Sequence, residues 1–174
     1  MRHLLLLFLA FFLSSAGLWA DDRQDFVAQL VVQLQDSTEE VQDKDYQCIT
    51  VSPGMMEKML EMMQSSNEEY FKNEKIQKSL PNIKSLRIFI ATQHPEKYKQ
   101  EVERLLDKKK RVYQPYKNDL NDKNEPCVWL RRNKNKIIEI IAMQHQDNNE
   151  ENSLKVVDFT GNLTHEFVSE LLKM

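Results

Sequence analysis

The stretch from Tyr46 to Met63, YQCITVSPGMMEKMLEMM, changes its hydrophobic period in the middle. Its first six residues are rich in strand-forming side chains. The rest places Met55, Met59, Met62 and Met63, with Met56 and Leu60 beside them, at the i, i+4, i+7 spacing of one broad helical face, and Glu57, Lys58 and Glu61 lie opposite. The junction is marked by Ser52, a good N-cap, and by Pro53 at the first helical position, where its fixed φ helps and its missing N–H is no loss. A strand that feeds a helix through so tight a link has little freedom to lift the helix away. The apolar stripe, Met59 and Leu60 above all, is therefore expected to pack on a sheet.

Upstream, MRHLLLLFLAFFLSSAGLWA has a short positive start at Arg2 and His3, an apolar run from Leu4 to Leu13, and then small residues. This is the pattern of a secretory signal peptide. The run is shorter than the roughly 20 residues that span a bilayer, and no second long apolar stretch follows. Cleavage is expected after Ala20, with no cysteine nearby to be acylated. The expected product is a soluble periplasmic or extracellular protein with no membrane span. Removing 20 of the 174 residues leaves 154 for a single domain, 21–174, which is enough for one compact core. The signal takes only Arg2 from the charge count, so the formal net charge of −3 becomes −4, and no global field attracts nucleic acid. The one concentrated positive run, Lys108, Lys109, Lys110 and Arg111, is expected to complement a helix C-terminus.

Working outward, Phe26, Val27, Leu30, Val31 and Leu34 mark a helix before the first strand, and DSTEEVQDK at 36–44 reads as a loop. Beyond the Met-rich helix, Ser66 and Glu69 have capping-box spacing ahead of a second short helix with Tyr70, Phe71 and Ile76 on a thin apolar face, ended by Pro81. Ile83–Thr92 is a strand with Leu86, Ile88 and Ile90 on one face and Phe89 and Ala91 on the other, as in a central strand. Tyr98, Val102, Leu105 and Leu106 then define another helix. The helical crossover suggests that the first two strands are parallel or share one sheet. Strand-like runs at 111–116, 127–132, 136–145 and 154–159 follow as an antiparallel meander, with Asn133, Lys134 and Asn135 as a tight turn and Pro115 on an edge. A short terminal helix carries Phe167, Val168, Leu171 and Leu172. The class expected is α+β: one mixed, largely antiparallel sheet with helices packed on one face.

The strand, turn and apolar helix at Ile49–Leu60, the L-R-I-F strand at Leu86–Phe89, the I-I-E-I strand at Ile137–Ile140 and the closing F-T-G-N-L at Phe159–Leu163 together resemble a family of small exported bacterial proteins, domain of unknown function 4252. The resemblance runs from about Phe26 onward. It implies the fold and the compartment, and, since some members look to be encoded beside extracytoplasmic-function sigma factors, a part in envelope regulation. Many members resemble envelope lipoproteins, from which this chain departs by lacking the acylated cysteine. The resemblance brings no catalytic residue with it.

The residues themselves carry no recognisable catalytic constellation. There is no G-x-S-x-G, and His94, His145 and His165 stand in three unrelated contexts as exposed or capping residues. No His or Cys pair has zinc-ligand spacing, and the two glycines after the signal, Gly54 and Gly161, are too few for a phosphate cradle. No cofactor is expected. Glu139 and Asp158 lie inside strands and would serve a hydrolase acting on an envelope polymer, whereas a cross-strand ion pair on a solvated sheet face, with Arg87 as partner, accounts for them without chemistry. Thioethers of Met55, Met59 and Met62 suit Cu(I), core packing explains the same residues, and a deformable surface of Met55, Met56, Met59, Met62 and Met63 suits a protein partner. Cys48 and Cys127 allow a disulfide in an oxidising compartment, or two separate core thiols. The expected function is an exported, non-enzymatic binding domain with an envelope protein partner; its oligomeric state is left open, and the hydrolase is the alternative.

Overall fold

The computed structural model describes residues 24–36, 45–65, 74–116, 127–147 and 152–172. The expected signal peptide, its cleavage site, the loop at 37–44 and the residues Ser66, Glu69, Tyr70 and Phe71 lie outside them. So do the side chains of Met59, Leu60, Met62, Met63, Ile76, Cys127 and Leu171.

The first described helix, α1 (Phe26–Asp36), buries Phe26, Val27, Leu30 and Leu34, the stripe its sequence dictates. Each such side chain is worth about 1.5–3 kcal/mol removed from water. Strand β1 (Tyr46–Val51) runs into helix α2 (Pro53–Ser65), where Ser52 Oγ accepts the Met55 N–H at 3.4 Å, and Met56 is buried while Met55 is exposed. Helix α3 (Glu74–Ser79) ends in a 3-10 turn, Leu80–Asn82, that contains Pro81. Strand β2 (Ile83–Ala91), helix α4 (Pro95–Lys108), strands β3 (Tyr113–Pro115), β4 (Cys127–Asn133), β5 (Lys136–Asp147) and β6 (Asn152–Leu163), and helix α5 (His165–Leu171) complete the chain. Thr164 caps α5 by accepting the Phe167 N–H at 3.2 Å.

The strands form one sheet in the order β1-β2-β6-β5-β4-β3, and every neighbouring pair is antiparallel. The α+β class is the one expected, and the meander β3-β4-β5-β6 is in place. Three details differ from the sequence expectation. First, β1 and β2 share one sheet, as one of the two expected arrangements has it, but they are antiparallel and not parallel, with Val51 opposite Leu86. The link through α2 and α3 therefore goes out and returns to the same end of the sheet, and no parallel pair arises.

Second, helices lie on both faces of the sheet, not on one. Helices α1 and α4 pack with Phe89, Ile141, Met143, Leu154 and Val156, while α2 and α5 pack through Met56, Phe167 and Val168 with Val51, Ile140, Val128 and Leu130. Neighbours such as Ile140 and Ile141 thus enter opposite cores. A strand apolar on both faces needs cover on both sides. Third, although asparagine is the residue that tolerates positive φ in such a turn, here the residue with positive φ is Lys134 (φ 56°).

Two bulges set the register. At Lys84 and at Ile138 the pairing slips by one residue, so Ile83 and Ile137 turn onto the α2–α5 side. Gly161 lies opposite Ile83 with φ +155°, and a Cβ there would fall 2.1 Å from the Asn82 carbonyl oxygen. Only glycine lets β6 approach the Leu80–Asn82 turn so closely.

Candidate functional site

The α1 side of the sheet carries a charge cluster at its centre. Alternation places Glu139 on the face of Ile141 and Met143, and Asp158 on the face of Leu154 and Val156. These carboxylates are 0% and 1% exposed. The face is not solvated, as the sequence suggested, because α1 lies over it. Glu139 Oε1 accepts the Phe26 N–H at 2.7 Å, Asp158 Oδ2 accepts the Val27 N–H at 2.9 Å, and Asp25 Oδ1 accepts the Ala28 N–H at 2.9 Å. The start of a helix has N–H groups with no partner in the helix and a partial positive charge. Here three carboxylates from three parts of the chain take up three of them.

Two cations and a phenol complete the cluster. Arg131, cross-strand neighbour of Glu139, lies 2.5 Å from Glu139 Oε2 through Nε. Arg87 Nε donates to Asp25 Oδ2 at 2.7 Å, so the partner expected for Glu139 or Asp158 is engaged by a third carboxylate. The Tyr113 hydroxyl lies 3.3 Å from Glu139 Oε1, and its ring meets Phe26 edge-on at 5.4 Å. Burial raises the pKa of Glu139, opposed by Arg131 and the Phe26 N–H. Burial, and then the charge of Glu139, raise that of Asp158 further, opposed by the Val27 N–H. Burial and Glu139 also push the Tyr113 phenol upward. The two acids are in hydrogen-bonding contact, and among the described residues no donor reaches Asp158 Oδ1. Three carboxylates face two guanidinium groups, so one proton held between Glu139 and Asp158 brings the formal charge to zero.

This arrangement anchors a helix. Both acids accept N–H groups of α1 and are buried beneath it. Asp25, Tyr113 and Arg131 were not legible as members. The signal available was an acid in phase with an apolar strand face, which alternation alone exposes.

The remaining candidate residues are scattered. His94 is the N-cap residue of α4 with φ 50° and makes no side-chain capping bond, so it is positioned by its backbone. His145 is neither exposed nor capping: it is largely buried, with Nε2 3.4 Å from Glu96 of α4. His165 is exposed beside the Tyr116 ring. The Lys108–Arg111 run closes α4, where Lys109 Nζ donates to Gln29 Oε1 and Lys110 pairs with Asp107 at 3.6 Å. Cys48 is a free, exposed thiol and not a core residue, and partial desolvation raises its pKa against the pull of Arg87. It sits on β1, while Cys127 sits on β4, four strand positions away. At about 4.8 Å per strand this is far beyond the roughly 7 Å a disulfide allows.

Of the Met-rich surface, Met55 is 52% exposed and Met56 is core, so Met56 leaves the candidate list; Met59, Met62 and Met63 are placed by backbone only. The sheet itself carries a feature the sequence did not single out. On the α2 side of the sheet, Ile49, Ile88, Val157 and Ala142 form one cross-strand row. The adjacent row, Val51, Leu86, Phe159 and Ile140, belongs to the core under α2 and α5. The Ile49 row is only half covered, and Ile49 at the sheet edge is 42% exposed.

A comparison with curated proteins found no match, and neither did a comparison with solved structures. Among protein families, one model matches residues 39–171, a region that holds every described strand of the sheet, both buried acids and the edge strand β1. The chain belongs to the family described as domain of unknown function 4252 (DUF4252).

Proposed function

We propose that this chain is an exported, non-enzymatic interaction domain that meets its partner along β1 and the first turn of α2. One observation carries the reading: the two edges of the sheet are unlike. Strand β3 has three residues and ends in Pro115, the usual way of blunting an edge, whereas β1 has six residues with no charge, no proline and no bulge. An edge that no described strand pairs with, on a strand and following helix that expose Ile49 and Met55, suits a strand-adding protein partner. The hydrolase alternative loses ground because its acids are consumed by α1. The signal-like N-terminus supports a periplasmic or extracellular site of action after cleavage near Ala20, and the family resemblance supports a part in envelope regulation.

A photo-crosslinking amino acid placed singly at Ile49, Met55 and Val32 tests this in the producing cells. Val32 is an equally exposed apolar residue on α1. Discrete adducts from Ile49 and Met55 in the exported fraction, with none from Val32, are expected. Equal adducts from all three, or retention of Met1 on membrane-bound protein, would contradict the reading.

A further inference from the structure

We infer that β1 pairs with β1 of a second copy, in antiparallel register centred on Ile49, to give a two-fold dimer with a continuous twelve-stranded sheet. The inference rests on the interaction reading above and names the partner. Identical strands related by a two-fold axis normal to the sheet keep their faces in common, so only residues of like parity can stand opposite one another. Two registers satisfy this near the middle of Tyr46–Val51, one centred on Cys48 and one on Ile49. The Ile49 register joins the half-covered row of one copy to that of the other, in the order Val157, Ile88, Ile49, Ile49, Ile88, Val157. Directly opposed side chains of this kind stand about 4.5–5.5 Å apart at Cβ and stabilise the pairing.

Charge favours the same arrangement. The protein is net negative, so two copies repel in general, yet Gln47 to Val51 carries no charge and is the surface on which they can meet. The Ile49 register also sets Asp45, which precedes β1, against Pro53 of the other copy, the first residue of the 13-residue helix α2. A carboxylate beside the positive end of a helix is favourable, and the two-fold supplies that contact twice. A register centred on Cys48 would instead pair Ile49 with Gln47 and break the apolar row. One strand pair buries much less than the roughly 800 Å² per partner of a standard interface, so the dimer is expected to be reversible.

Sedimentation equilibrium over a hundredfold concentration range, with amide hydrogen exchange across β1, tests the inference. The purified protein is expected to show a monomer–dimer equilibrium, with β1 protected only at the high end. Ile49→Lys should weaken association at least about a hundredfold, Val32→Lys should leave it unchanged, and urea unfolding of both should confirm intact folds. Ile49→Cys in a Cys48→Ser background should form a covalent dimer on oxidation. A monomer at every concentration with β1 exchanging freely overturns the dimer while leaving the edge open for a different partner. Protection of β1 at the lowest concentration means that the edge is covered within the chain, which overturns the dimer and the interaction reading together. A dimer that ignores Ile49→Lys, or that fails to link through Ile49→Cys, overturns the pairing.

Discussion

At the scale of single residues, Gly161 and Asp158 are the positions where one atom decides most. A methyl group at Gly161 would meet the Asn82 carbonyl oxygen at 2.1 Å and the Ile83 Cα at 3.0 Å, both backbone atoms that cannot step aside cheaply. Gly161→Ala is expected to cost about 2–4 kcal/mol in urea unfolding, and a change below about 0.5 kcal/mol would show that β6 does not lie so close. Asp158→Ala removes the acceptor of the Val27 N–H and should cost about 1–3 kcal/mol. Glu139→Ala should cost more, about 3–5 kcal/mol, because it leaves the largely buried Arg131 without its carboxylate. The glycine's need was not legible in the sequence, since the turn it touches is contributed by residues about 80 positions earlier.

At the scale of elements, the helices and strands were legible wherever one face was plainly apolar. The stripes of α1 and α4 and the alternation of β2 marked their buried sides. What periodicity could not convey was which side of the sheet each helix would cover, because β5 and β6 are apolar on both faces and suit either. The same limit hid the site. Glu139 and Asp158 are in phase with a core face, yet the groups that satisfy them are the backbone of α1 and, for Glu139, Arg131 on β4, which only the assembled sheet brings near. Helix α2 gives a direct test of facing. Met56→Ala should cost about 2–5 kcal/mol, whereas Met55→Ala should stay within about 0.5 kcal/mol. Equal costs would mean that the first turn of α2 is rotated from the position described.

At the scale of the whole molecule, the acid cluster couples folding to pH in an uncommon direction. Carboxylates usually lose protons more easily in a folded protein, which then weakens in acid; here burial raises both Glu139 and Asp158, and the charge of Glu139 raises Asp158 further. The stability they contribute is fully present below the unfolded carboxylate pKa, near 4, and is lost as pH rises through their raised folded values. Asp158→Asn keeps an oxygen for the Val27 N–H and offers Glu139 an amide donor, so it imitates the protonated acid. The paired acids secure α1 through its first N–H groups. The most direct test of that role is urea unfolding of wild type and Asp158→Asn from pH 5 to pH 9. Wild-type stability should fall as pH rises from 5 with a slope of up to about 1.4 kcal/mol per pH unit, and Asp158→Asn should flatten the slope and match or exceed wild type at the alkaline end. An Asp158→Asn protein that is weaker than wild type throughout and keeps the full slope would contradict the account.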